Sequence, residues 1–323
     1  MKRINILLMI SVMGAIIVSF IIFKPTSKIN KKTRYTIGIV QTASHPALDA
    51  VREGFIEELK KSIGSDVSFI IRNGEGSIAN IATIAQQFHN DKNINGIFAI
   101  ATPAAQAIAT VEQNRPIFIA AVTDPQALGL IHPTTNVTGT KDMIDISAQI
   151  DMLVKLLPNA KTVGLIYNNG EVNSIAFVNI MRTELKNRGL MPIDFAVSSE
   201  SDLPTAAQMA FLKSDVVLAP TDNMVASSIA LLASLAHKNK KPLIVSDNML
   251  VEYGALASRG VDYKESGKQT AQIAHHVLIE GKKPHEIAIQ QAKSNKIYIN
   301  KNSLTTLKLS IPESLNNHSI LVG

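Results

Sequence analysis

Cysteine and tryptophan are both absent from the 323 residues. Without cysteine the chain can form no disulfide, thiolate nucleophile, cysteine zinc site or iron–sulfur cluster. An acylated lipoprotein cysteine is excluded for the same reason. Aromatic side chains are scarce, with 10 Phe and 5 Tyr. Long runs of one charge sign are missing too. The formal net charge of +6 comes from the start of the chain, where Lys2, Arg3, Lys24, Lys28, Lys31, Lys32 and Arg34 stand with no acid. Removing those seven from 32 basic residues leaves 25, against 26 acidic ones. The body is therefore near neutral and lacks the basic footprint that a phosphate backbone requires, so no nucleic-acid partner is expected. What is present is 46% hydrophobic and 18% charged, with 17 Gly and 13 Pro. That composition excludes disordered and collagen-like chains, and the length suits two ordinary domains.

Lys2-Arg3 precede an uncharged run from Ile4 to Phe23. A helix of that length spans about 30 Å, one hydrocarbon core. A cleaved signal has a shorter apolar region of roughly 7–15 residues ending at small side chains. Ile16 to Phe23 is bulky, so the run reads as an uncleaved signal anchor, with secretion the outcome if residues 1–23 are removed. Residues 24–34 read as a polar tether. The larger basic cluster follows the run, and the positive-inside rule then points the body inward. The function read from the body, below, points outward, and it is given precedence.

From Tyr35 onward, β-branched runs alternate with helical patterns. Strands are expected at 36–41, 67–72, 96–101, 117–121, 162–167, 193–196, 216–219, 243–246 and 255–258. The central ones are nearly all apolar, as strands buried on both faces should be. Helices are expected at 47–63, 77–89, 103–113, 146–157, 174–188, 223–239 and 264–280. In the first of these, Leu48, Val51, Phe55 and Leu59 recur every three to four residues. Such alternation predicts an α/β protein with parallel sheets flanked by helices. The pattern runs through 35–143 and restarts near Pro158, which predicts two Rossmann-like lobes with a cleft between them.

Ligands of open α/β sheets sit beyond the carboxyl ends of the strands. Those ends carry Gln41 and His45, Thr102, then Thr123 and Asp124 in the first half. In the second they carry Asn168, Glu171, Asn173 and Ser174, then Thr221 and Asp222, then Asp247. Any one of these residues could simply cap a helix or shape a turn. Together they form a set of hydroxyls, amides and carboxylates with few long cations, suited to a small zwitterion. Asp222 or Asp247 would pair with an ammonium. Helix N-terminal N–H groups and hydroxyls, those of Thr102 or Thr123, would receive a carboxylate.

The order of short stretches resembles the ABC-transporter substrate-binding family of the tryptophan and tyrosine type. They are Ile37-Gly38-Ile39-Val40-Gln41 with His45-Pro46-Ala47-Leu48-Asp49, Thr102-Pro103-Ala104-Ala105-Gln106, Val122-Thr123-Asp124-Pro125 and Asn136-Val137-Thr138-Gly139. Tyr167-Asn168, Glu171 with Asn173-Ser174, Thr221-Asp222-Asn223, and Gly260-Val261-Asp262-Tyr263 with Gly267 follow. The resemblance covers about 35–315. It implies a type I periplasmic binding protein, two lobes joined by several crossovers and closing over one small ligand, an amino acid that could be aromatic. It also implies an ABC permease and its ATPase as partners, no enzymatic activity and no cofactor. On that reading residues 1–34 are anchor (membrane helix 4–23) and tether, and the protein sits on the outer face of the bacterial cytoplasmic membrane. The first lobe comprises 35–143 plus 262–284, and the second 144–261 plus 285–323. Glu75 and Ser77 depart from the Gln and Asp expected there, and the few aromatic residues leave little stacking surface.

Other signals carry less. Gly74-x-Gly76 lacks the third glycine of a dinucleotide fingerprint. His275-His276 are neighbours on a helix and point apart, a poor metal pair. Ser44, His45 and Asp124 suggest a triad on paper, but no nucleophile elbow accompanies them. A ligand-sensing receptor that signals to a membrane partner would share the same fold and is the alternative reading.

Overall fold

The computed structural model describes residues 34–293 and 296–323. The expected span 4–23 lies outside the described residues. Among those described, no helix is long and apolar enough to cross a membrane.

The first lobe begins β1 (Tyr35–Gln41), α1 (Pro46–Ile63), β2 (Val67–Asn73), α2 (Ile78–Asn90), β3 (Gly96–Ile100), α3 (Thr102–Val111), β4 (Ile117–Val122) and β5 (Val137–Lys141). The chain then crosses into the second lobe. There it forms α4 (Ile146–Leu156), β6 (Thr162–Asn168), α5 (Val172–Asn187), β7 (Met191–Val197), α6 (Leu203–Lys213), β8 (Val216–Ala219), α7 (Asn223–Ser227), α8 (Ile229–Asn239), β9 (Leu243–Asp247) and β10 (Ala257–Val261). It returns for α9 (Tyr263–Leu278) and β11 (Gln290–Gln291), then crosses again for β12 (Ile297–Asn300), α10 (Lys301–Leu307), α11 (Glu313–Asn316) and β13 (Ser319–Val322).

One sheet has the order β11-β5-β4-β3-β1-β2 and the other β13-β12-β10-β9-β8-β6-β7. All pairs are parallel except β10 with β12. Each sheet thus contains the doubly wound 2-1-3-4-5 order, which opens a ligand crevice where the strand order reverses. The central strands β3 and β4 are buried along their whole length, as their unbroken apolar sequences require. Beneath β3 and β4, Phe55 of α1 stacks on Phe98 at 3.9 Å between ring centroids.

Helix α9 belongs to the first lobe because it packs on α1 at backbone range. Gly54 and Gly267 allow this: a Cβ on Gly54 would fall on Lys264 O, and one on Gly267 on Val51 O. The first lobe also extends further than the 284 limit expected from the sequence. Strand β11 pairs with β5 (Gln290 opposite Thr140), and Thr138 Oγ1 donates to Ile287 O at 2.8 Å. The third crossover therefore falls after Gln291, not at 285. Two other expectations need correction. The helix expected over 223–239 is two helices broken at Ser228, and α6 and strands β5, β11, β12 and β13 lie where no element is expected.

Candidate functional site

The carboxyl ends of both sheets meet at a small cavity of about 20 Å³. From the first lobe His45, Leu48 and Ala121 line it. Asp142 and Tyr263 come from the crossovers, and Asn173, Thr221, Asp222 and Asp247 from the second lobe. The lobes touch here: His45 Nε2 lies 3.4 Å from Asn223 Oδ1.

Local sequence explains how these side chains arrive. Pro46 occupies the first turn of α1 and holds His45 extended at its N-cap, without a capping bond from the ring. The imidazole is left to reach across the cleft. Ala101 and Ala121, at the ends of β3 and β4, have φ of 75° and 56°. For a residue with a Cβ this backbone is strained, and such strain collects at ligand sites. At β4 the turn coincides with a register shift against β5 between Ile119 and Val122.

Three buried acids crowd the cavity. Asp247 Oδ1 accepts from Met249 N at 2.9 Å, capping a short turn, and its other oxygen has no hydrogen bond among the described residues. Burial pushes this carboxyl up to about 7; the Asp142 charge adds to the effect and the Met249 bond opposes it. Asp222 accepts from Asn168 N at 2.6 Å, Ser174 Oγ at 2.7 Å and Val225 N at 2.9 Å. Burial first, then the nearby Glu171, pushes its carboxyl upward against those bonds. Asp142 accepts from Tyr263 OH at 2.7 Å and Thr123 Oγ1 at 3.1 Å, and burial raises its pKa too. Thr221 Oγ1 sits beside Tyr263 without a well-formed hydrogen bond. Asn173 Oδ1 is buried and unpartnered.

Of the residues singled out from the sequence, His45, Asn173, Thr221, Asp222 and Asp247 line this cavity. The others support it or stand apart. Gln41 donates to Ala43 O and Asp49 and accepts from Arg52, which fixes the loop before α1. Glu171 accepts from Asn223 N, Asn223 Nδ2, Met224 N and Asn173 Nδ2, tying the start of α5 to that of α7. It and Asn168 line the wider groove outside the cavity. Ser174 is spent on Asp222, and Thr123 on Asp142. Thr102 is buried with an unpartnered hydroxyl but does not line the cavity. Asp124 caps the turn at Ala127 N and lies outside it.

Asp142, Tyr263 and Asn223 escaped the sequence reading of site residues. The first two obey the same strand-end rule. Asp142 directly follows β5, which was not recognised as a strand. Tyr263 follows β10, whose end lies three residues beyond the expected 258.

A family model described as ABC transporter substrate binding protein matches residues 36–321. The chain belongs to that family. A tyrosine-binding protein of Clostridioides difficile is 34% identical over 289 residues, covering 87% of this chain and 83% of the relative. A Streptococcus pneumoniae ABC domain solved with L-Trp is 32% identical, with a TM-score of 0.85 over 90% of this chain and 100% of that one. A ligand-free, open structure of a Clostridium difficile substrate binding protein with adhesive properties is 33% identical at the same coverage, with a TM-score of only 0.66. More distant solute-binding proteins share the type I periplasmic-binding-protein fold. The members of this family are solute-binding proteins and not enzymes.

The set-aside histidine pair also looks different in three dimensions. His275 and His276 Nδ1 both approach Glu280 Oε1, at 3.6 and 2.8 Å, while Lys282 Nζ lies 3.3 Å from Oε2. Adjacent positions on α9 thus converge on one carboxylate beyond the helix end, where the chain curls back.

Proposed function

We propose that this chain is the extracytoplasmic capture component of an ABC importer, taking up an aromatic L-amino acid and handing it to a permease driven by its ATPase. The observation that carries this reading is the interlobe cavity. Of the three carboxylates that line it, Asp142 and Asp222 are engaged by protein donors, Asp247 has an oxygen to spare, and no Lys or Arg lines it. A ligand ammonium is the natural counter-ion for that oxygen. Asp222, the other candidate, has its acceptors taken by Asn168, Ser174 and Val225, so it acts as a brace. Thr221, with a free hydroxyl on the same wall, is the donor available to the ligand carboxylate. Thr102 and Thr123 do not reach the cavity. The tyrosine and L-Trp named for two relatives of more than 30% identity support an aromatic side chain.

The mechanism is closure. In the open form the lobes present half-shells to water. The ligand bridges them, and closure is favoured by as much as the ligand prefers the closed form. Anchoring through residues 4–23 would keep the protein beside its permease. A micromolar receptor needs about 8 kcal/mol of binding free energy, within reach of a few charge-assisted hydrogen bonds in a dry cavity.

The test is a thermal-shift and calorimetric screen of the full-length chain against the amino acids. A ligand at 100 times its Kd adds about 2.7 kcal/mol, a rise of several degrees. A rise with tyrosine or tryptophan, the ligand recovered unchanged, is the expected result. A response confined to sugars or organic acids would overturn the proposal, and so would recovery of a reaction product.

A further inference from the structure

The hydrogen-bond network around the cleft fixes the protonation of one ring. Glu171 is a carboxylate acceptor, and the amide nitrogen of Asn223 donates to its Oε2. That contact orients the Asn223 amide, so Oδ1 is the atom turned to His45. An amide oxygen only accepts, and therefore His45 Nε2 must carry the proton. Burial pushes the pKa of the ring down to about 4, against the opposing effects of Asn223 and Asp49, so at neutral pH the imidazole holds a single proton. Nδ1 is then a bare lone pair. It is buried, it has no hydrogen-bond partner among the described residues, and His45 lines the cavity.

We infer that His45 Nδ1 is the acceptor for a ring O–H or N–H of the ligand, so that the site selects phenol- and indole-bearing amino acids over phenylalanine. This rests on the aromatic amino-acid reading above and sharpens it. The ammonium has its own acceptor across the cleft in Asp247, together with Asn173 Oδ1 from the second lobe. His45 comes from the opposite lobe, where the ligand side chain would lie. A site built to bond a donor rejects the analogue that lacks it, because its own buried acceptor is left unpaired. The discrimination expected from one such neutral bond is about tenfold or more.

The experiment is calorimetry on the full-length chain with L-tyrosine, L-tryptophan, L-phenylalanine and O-methyl-L-tyrosine, for the natural protein and for His45→Ala. Tyrosine and tryptophan should bind at least about tenfold tighter than the two ligands without a ring donor. In His45→Ala that gap should close, chiefly by loss of tyrosine and tryptophan affinity. Retained phenylalanine binding would show that the variant folds. Should His45→Ala bind nothing, the ¹⁵N shift of Nδ1 in the natural protein decides: movement with tyrosine and not with phenylalanine supports the inference, and equal movement overturns it. Equal affinity for tyrosine and phenylalanine in the natural protein overturns the inference and leaves the proposed function intact, as does a preference that survives His45→Ala. If none of the four ligands binds, the proposed function itself fails.

Discussion

The free oxygen of Asp247 is bought at the cost of a buried charge. Its carboxyl is pushed up to about 7 in the folded protein, against about 3.9 in an unfolded chain. The folded protein therefore binds more protons than the unfolded one between those values. Stability from this group is complete below about pH 4 and declines as pH rises through 7. Asp222 and Asp142 shift in the same direction. The ligand-free protein should lose melting temperature between pH 5 and pH 8. Asp247→Asn should flatten that slope in part and raise the melting point at pH 8, since Asn keeps the acceptor for Met249 N. The same substitution should weaken amino-acid binding about a hundredfold or more, for want of the counter-ion. A variant that binds normally would remove Asp247 from the site. Which acid had the spare oxygen was not legible in the sequence. Asp247 ends β9 and Asp222 follows β8, each before a helical turn, and only the folded hydrogen bonds separate brace from binder.

At the scale of elements, the apolar β-branched runs and the 3.6-residue periodicity located the central strands and most helices to within a residue or two. Two of the strands they missed, β5 and β11, share one property. Strand β5 reads Val-Thr-Gly-Thr-Lys, and β11 is Gln-Gln. These strands near or at a sheet edge are polar or interrupted by glycine, and no hydrophobic pattern distinguishes them from loops. Because Asp142 sits just after β5, the missed strand also hid a site residue. The contact between α1 and α9 depends on Gly54 and Gly267. Gly267→Ala places a methyl group against the carbonyl of Val51, a backbone atom that cannot swing away. Overpacking of this kind costs about 1–3 kcal/mol, or several degrees of melting temperature. Differential scanning calorimetry should record that loss, with tyrosine binding at low temperature unchanged. An unchanged melting point would mean that the two helices can part freely.

The whole molecule is two lobes linked by three strands of chain, and the cavity lies beside two of those links. Asp142 and Tyr263 belong to separate crossovers and are joined by a 2.7 Å hydrogen bond. Hinge and ligand wall therefore share residues. Addition of the cognate amino acid should lower the radius of gyration in solution scattering, by closing open molecules onto the arrangement described here. A radius indifferent to ligand would mean the lobes are already locked. The sequence conveyed the two-lobe plan through its repeated pattern but not the position of the third crossover, since Pro284 to Gln291 carries no periodic signal.

The return of α9 to the first lobe also has a consequence in time. Tyr35 OH donates to Leu278 O, a bond spanning 243 positions of sequence. The first strand and first helix are made early, yet the helix that covers them is made only after nearly all of the second lobe. Until then the apolar face of α1 has no native cover. Contacts so distant in sequence slow folding and prolong exposure. A chain emerging from its amino end would thus carry an uncovered first lobe through most of its synthesis or export. Its dependence on a holding chaperone should end only once residues beyond 278 have appeared.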